Sequence, residues 1–247
     1  MKLEGTHVLL TGGGRGLGRH MAERLAADGA RVWVLERDTA LCDELNAAGL
    51  HALRCDVTQP DAIDAAILVA ENQGAAFGVL INNAGLIHSE PLVNMLSRGE
   101  RVHSRATWRT VLSANLDSAF YVTSRVIDRM MAQRTKGVVI SVSSIAAQGN
   151  AGQSAYAAAK AGVNALTRSW AKELGPLGYR FAAVAPGFID TPSTRAALSE
   201  AIIDQLKKKI PLRRLGESES VYQAVRQIIE NDYLNGIILD VDGGLTL

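Results

Sequence analysis

Cysteine is nearly absent: Cys42 and Cys55 are the only two in 247 residues. They make no metal-ligand spacing, and Cys55 sits in a strand-like stretch where a small buried hydrophobe is expected. Long apolar runs are missing too. No stretch approaches the ~18 residues of a membrane span, and the opening Met1-Lys-Leu-Glu-Gly-Thr6 has no signal-peptide core. Charge of one sign is also lacking, with 26 basic against 25 acidic side chains, so nothing steers the chain to nucleic acid or to a membrane surface. Aromatic residues make up 5 % of a chain that is 47 % hydrophobic, which suits a core of Val, Ile, Leu and Ala. These absences describe a reduced, soluble, cytoplasmic protein.

What is present is an alternation. Short β-branched runs recur at His7–Leu10, Arg31–Leu35, Gly78–Ile81, Gly137–Ile140, Arg180–Val184 and Gly236–Val241. Helical patterns lie between and after them, at Leu17–Asp28, Thr39–Ala48, Asp61–Gly74, Thr107–Arg134, Ser154–Leu174 and Ser218–Asn231. Continuous apolar strands are buried on both faces, as in a parallel sheet covered by helices. No linker, repeat or low-complexity stretch interrupts the pattern. The expected fold is α/β, one Rossmann-type doubly wound parallel sheet of about seven strands, as a single domain over residues 1–247.

The first strand leads into Thr11-Gly-Gly-Gly-Arg-Gly-Leu-Gly18 and then a helix. Gly12, Gly16 and Gly18 permit a tight turn and a close approach of pyrophosphate to the helix N-terminus, with Arg15 and Leu17 in the same turn. About 20 residues on, the second strand ends at Glu36, placed to accept from the adenosine ribose hydroxyls and to repel a 2′-phosphate. NAD is therefore the expected cofactor. NADP stays open as the alternative, because Arg15 and Arg37 can pair with that phosphate. Asp56, with Val57 beside it, follows the third strand and either receives the adenine amino group or caps the helix beginning near Gln59. Asn82-Asn83-Ala84-Gly85 ends the fourth strand, either as an ordinary turn or as a small-residue passage beneath the cofactor.

Tyr156 and Lys160 lie four apart, on one face of a helix. An ammonium near a phenol favours the phenolate, and a phenol so tuned can exchange a proton with a carbonyl or alcohol oxygen. Ser141, Ser143 and Ser144 present hydroxyls after the fifth strand, and Asn115 sits in mid-helix, where an amide needs an internal task.

Together, Thr-Gly-x-x-x-Gly-x-Gly, Asn-Asn-Ala-Gly, the helical Asn, a Ser thirteen before Tyr, and Tyr-x-x-x-Lys resemble the short-chain dehydrogenase/reductase family along essentially the whole chain. The resemblance implies a catalytic tetrad of Asn115, Ser143, Tyr156 and Lys160. Ser143 is taken over Ser141 and Ser144 on its separation from the tyrosine. It also implies that Asn83, Ala84 and Gly85 line the cofactor, and that Lys160 binds the nicotinamide ribose. Asn115 would hold a water on the proton path. Pro186, Gly187, Ile189 and Thr191 would hold the nicotinamide carboxamide, and a homotetramer would form. Long helices that pair across a two-fold axis would make that assembly, and the alanine face of Ala155, Ala158, Ala159 and Ala165 suits either such packing or burial within one subunit.

For substrate, the long stretch Leu86–Asn115 and the tail Gln227–Gly243 look like the type II 3-hydroxyacyl-CoA dehydrogenases, also called 17β-hydroxysteroid dehydrogenase type 10. A CoA-linked substrate touched by Gln153 is then implied. Gly149–Tyr156 also resembles the 3-oxoacyl-[acyl-carrier-protein] reductases, which makes a carrier-linked substrate with NADP the runner-up. A sugar or cyclic alcohol dehydrogenase and a silent dinucleotide-binding regulator are the further alternatives. Arg98, Arg101, His103 and Arg105 in the long stretch form either a phosphate site or a solvated loop. Residues 193–210 are expected to form a substrate lid, and Lys207–Lys209 a solvated face.

Overall fold

The computed structural model describes residues 1–246. The six apolar runs, with the strand-like stretch before Cys55 as β3, become β1 (His7–Thr11), β2 (Arg31–Glu36), β3 (His51–Arg54), β4 (Phe77–Asn82), β5 (Val138–Val142), β6 (Arg180–Pro186) and β7 (Ile238–Val241). All pair in parallel, in the order β3-β2-β1-β4-β5-β6-β7. Strand side chains alternate between faces. Val8 and Leu10 therefore join one core, and Leu9 the other.

Helices cover both faces. On one side α1 (Gly16–Ala27), α2 (Thr39–Ala47) and α9 (Ser218–Glu230) bury Met21, Leu25, Leu45, Val221 and Val225. On the other, α3 (Pro60–Asn72), α5 (Ser118–Ala132) and α6 (Ser154–Leu174) bury Ile63, Ile67, Val122, Val126 and Ala171. The expected helices fall within a few residues of these bounds, with one exception. The single helix expected over Thr107–Arg134 is in fact α4 (Arg105–Leu112), a π-helical turn over Ser113–Asp117, and α5. The extra residue in that turn frees a carbonyl that a side chain must satisfy.

Two short helices, α7 (Pro192–Ala197) and α8 (Glu200–Lys209), occupy the stretch expected to be a lid. Ile203 and Ile210 pack there on Ile145, Leu215 and Leu245. Strand order reverses between β2-β1 and β1-β4, which opens a crevice at the carboxyl ends of β1 and β4.

The end of α9 is held by a strand residue. Its last turn carries no basic side chain, and Arg180 at the start of β6 supplies the missing donors. The guanidinium donates to the carbonyls of Ile228, Ile229, Asn231 and Leu234 at 2.9–3.1 Å. Arg180→Met should leave these acceptors dry and cost about 2–4 kcal/mol in urea unfolding. A loss below about 0.5 kcal/mol would remove this role.

Candidate active site

The glycine turn is shaped by close contacts. Gly12 has φ +68°, and a Cβ there would lie 2.9 Å from Ala84 Cα. A Cβ on Gly18 would stand 2.1 Å from the Gly12 carbonyl oxygen. Thr11 and Asn83 tie the turn to β4. The Thr11 hydroxyl accepts from the backbone N–H of both Asn83 and Ala84 at 3.0 Å. The Asn83 amide donates to the carbonyls of Thr11 (3.0 Å) and Gly12 (2.8 Å). Helix α1 then starts at Gly16 with no capping side chain and no acid in its first turn. Free N–H groups and a positive dipole end suit a pyrophosphate, so the residues present fit a dinucleotide.

Glu36 is buried at the other side of this turn. Its carboxylate accepts from the N–H of Gly14 (3.0 Å), Arg37 (2.9 Å) and Asp38 (3.2 Å). These bonds fix it at the end of β2 with acceptor capacity to spare. Arg15 and Arg37 line the same cleft. Asp56 does not cap the following helix. Its carboxylate closes a local turn by accepting from the N–H and hydroxyl of Thr58, and Gln59 takes the N-cap position with no side-chain bond.

One cleft of about 930 Å³ connects these groups with Val57, Gly85, Asn115, Ser143, Ser144, Gln153, Tyr156 and Lys160. Pro186, Gly187, Ile189 and Thr191 line it as well. The Thr191 hydroxyl already caps α7 by accepting from Thr194 N–H at 3.2 Å. Gln153 stands at the N-cap of α6, its amide donating to the Ser89 hydroxyl at 3.1 Å and accepting from Asn150 at 2.9 Å.

Lys160 and Tyr156 are both buried, and burial sets their acidities. The phenol is pushed up from its ordinary value by loss of solvent, with a hydrogen bond to Ser144 pulling the other way. The Lys160 ammonium is pushed down to about 8 by the same loss of solvent. Its Nζ donates to the Val142 carbonyl at 2.8 Å and lies 5.7 Å from the Tyr156 ring centre. The expected lowering of the phenol by the ammonium is therefore not what this geometry gives, because desolvation outweighs it.

Two adjacent serines follow β5 at the cleft. The Ser143 hydroxyl turns inward, towards the Lys160 carbonyl at 3.5 Å. The Ser144 hydroxyl caps the short helix Ile145–Gln148, accepting from Ala146 N–H at 3.1 Å. Ser143, singled out by the thirteen-residue count, and Ser144 both line the cleft.

Asn115 has the internal task its position demands. Its amide donates to the carbonyls of Val111 and Leu86, each at 2.9 Å, and accepts from Leu86 N–H at 3.3 Å. Both amide hydrogens are thus engaged, so any water held by this side chain must donate to Oδ1. Gly85 makes room for the pair, since a Cβ there would meet Asn115 Oδ1 at 2.5 Å and Lys160 Nζ at 3.6 Å. Ser144, Thr11, Leu86, Ile87, Phe188 and Arg109 also belong to or support the cleft. Of these, Thr11 was visible as the first letter of the glycine motif.

The family model described as enoyl-(acyl carrier protein) reductase matches residues 12–246. The chain belongs to the short-chain dehydrogenase/reductase family. It is 37 % identical over 241 residues to the 3-oxoacyl-[acyl-carrier-protein] reductase MabA of Mycobacterium avium, covering 96 % of this chain and 89 % of that protein. It is 36 % identical to the 3-oxoacyl-[acyl-carrier-protein] reductase FabG of Thermotoga maritima, over the full length of both. Among solved structures, a putative gluconate dehydrogenase from Agrobacterium tumefaciens superposes with a TM-score of 0.88 at 30 % identity, covering 99 % of this chain and 97 % of the other. As a member of this family the protein is an oxidoreductase of CH–OH groups that uses a nicotinamide dinucleotide. No helix among the described residues is long and apolar enough to cross a membrane, and no cluster of metal-ligating side chains occurs among them.

Lys160 gives a pH test. Its folded value of about 8 lies below its ordinary 10.5, so the unfolded chain holds the proton between these limits. Its burial penalty is complete below pH 8 and is lifted as pH rises towards 10.5. Urea unfolding at pH 8, 9 and 10 should show the wild type gaining stability relative to Lys160→Met. A constant difference across that window would refute the buried, protonated lysine.

Gly18→Ala tests the turn. A methyl group cannot fit between Gly12 O and Asn83 Nδ2, at 2.1 and 2.5 Å. Dinucleotide affinity, followed by protein fluorescence, should fall by at least about 100-fold, roughly 2.7 kcal/mol. An unchanged dissociation constant would show that the turn is not the pyrophosphate site.

Proposed function

We propose that this protein interconverts a 3-oxoacyl and a 3-hydroxyacyl thioester with NAD(H), using Tyr156, Lys160, Ser144 and Asn115. The observation that carries the reading is Tyr156 beside the buried Lys160, with the Ser143–Ser144 pair, in the same cleft as the glycine turn. When bound, the dinucleotide supplies or accepts the hydride. In reduction Tyr156 Oη gives a proton to the carbonyl oxygen, and Ser144 Oγ hydrogen-bonds that same oxygen. In oxidation the phenol takes the proton back. Lys160 returns the proton to the phenol side and holds the nicotinamide ribose. Asn115 Oδ1 accepts from a water that continues the path outward.

Glu36 supports NAD over NADP. A carboxylate locked by three N–H groups suits ribose hydroxyls and repels a 2′-phosphate. Asp56 and Val57 would flank the adenine, and Ile189 and Thr191 the carboxamide. The thioester is supported by the names of the relatives and by an apolar wall where Ile145 and Phe188 line the cleft and pack with Leu198 and Ile203 of the lid. The same wall disfavours a sugar acid, despite the name of the solved relative. Filled tetrad positions disfavour a silent regulator. Residues 1–247 are read as one domain with a lid over 193–210, working in the cytoplasm. A homotetramer is supported by half-exposed Phe120 beside Tyr121 and Trp170 on α5 and α6.

Steady-state turnover of 3-oxobutanoyl thioesters tests this directly. NADH should exceed NADPH in kcat/KM by at least about tenfold, or 1.4 kcal/mol. Tyr156→Phe and Ser144→Ala should each lower kcat by about 10²–10⁴, with Ser143→Ala within a few-fold of wild type. NADPH preference would remove the role of Glu36, and a larger loss in Ser143→Ala would reverse the serine assignment.

A further inference from the structure

Arg109 on the cleft wall and the segment leading to it carry charge that the chemistry above leaves unused. The segment from Leu86 to Ser104 folds as a hairpin, with Asn94 N–H donating to Arg101 O at 2.6 Å and His103 N–H to Leu92 O at 3.0 Å. It is rooted beside the reacting groups. Glu90 N–H donates to Gly152 O at 2.7 Å, and the Glu90 carboxylate accepts from Ser104 N–H and lies against His88 and His103. Arg98 lies in the turn of this hairpin and Arg101 on its returning strand. Arg105 opens α4, and Arg109 follows one turn later on the same helix face, reaching the cleft wall beside Leu86 and Thr110.

All four arginines are exposed. Among the described residues none of them pairs with a carboxylate, whereas Arg125, Arg129, Arg195 and Arg226 are each held by one. The segment's acids are Glu90, already engaged, and exposed Glu100. Four arginines against two glutamates stand out in a chain whose formal net charge is +1.

We propose that Arg98, Arg101, Arg105 and Arg109 form a phosphate-binding rim for the phosphorylated handle of a pantetheine thioester. The proposal rests on the thioester reading above. A thioester reacting at Tyr156 trails its pantetheine arm out of the cleft, and the arm's far end is a phosphate. Guanidinium groups meet phosphate oxygens through paired, charge-assisted hydrogen bonds. The handle belongs either to coenzyme A or to a carrier protein, and both present the same pantetheine phosphate.

Two measurements test the rim. First, KM for 3-oxobutanoyl-CoA is compared with KM for the phosphate-free N-acetylcysteamine thioester, in the wild type and in R105E/R109E. The ratio of the two should shift by tenfold or more against the CoA ester in the variant. An unchanged ratio, with both constants rising together, overturns the proposal. Second, calorimetry with saturating NADH follows free coenzyme A and free 4′-phosphopantetheine, neither of which needs turnover. Binding of both to the wild type, lost in R105E/R109E, supports a rim reading the single shared phosphate. Binding of coenzyme A alone supports a rim specialised for its further phosphates. No binding of either at millimolar concentration overturns the rim. Weakened NADH binding in the variant would reassign these arginines to the dinucleotide. Retained coenzyme A binding without thioester turnover keeps the rim and sinks the substrate reading instead.

Discussion

The clamp between Thr11 and Asn83 is the constraint on which the cofactor half depends. It lies where the strand order reverses, so nothing in the sheet beyond β1 and β4 can do its work. One hydroxyl accepts two backbone N–H groups, and one side-chain amide covers two carbonyls of the turn. Each bond contributes only about 1 kcal/mol net. Their joint effect is positional, because they hold the Gly12 backbone against Ala84 and set where α1 begins. The uncapped N-terminus of α1 lines the crevice for that reason, and its free N–H groups are left open to a ligand.

The reacting half is governed by enclosure. Burial raises the phenol of Tyr156 and lowers the ammonium of Lys160, so both groups are driven towards neutrality. A charge that does persist there acts in a poorly screened medium, and each group feels the other's protonation more than water would allow. The Val142 carbonyl offers the ammonium one partner. The π-helical turn supplies the neighbouring amide. Asn115 lies in that turn with its side chain buried, and its amide takes the Val111 carbonyl as a local anchor.

The alternation of buried strands and amphipathic helices was legible because each strand carries its apolar run through both faces of the sheet. The glycine turn, Glu36, Tyr156 and Lys160 were legible for a related reason, since their chemistry depends on short spacings along single elements. The π-helical turn was not. Its sequence is ordinary helix, and it exists because Asn115 and Leu86, far apart along the chain, bond to each other. The acidities of Tyr156 and Lys160 escaped for the same cause. Spacing on a helix face brings two groups close, whereas burial comes from the elements stacked over them.

Ser143 and Ser144 make the point in two adjacent letters. β5 ends at Val142, and both residues after it line the cleft. Ser144 caps the helix Ile145–Gln148 from an extended backbone, while the Ser143 hydroxyl reaches the Lys160 carbonyl. A count back to Tyr156 fixes chain length and records neither engagement. The apolar cluster behind the cleft extends this argument. Ile145, Phe188, Leu198, Ile203, Leu215 and Leu245 come from separate loops and short helices, and no periodicity links them. Ile145 and Phe188 reach the cleft wall, and the others pack behind them. The shape of that wall is thus set by packing between distant segments, and single changes in the cluster alter it without touching Tyr156 or Lys160.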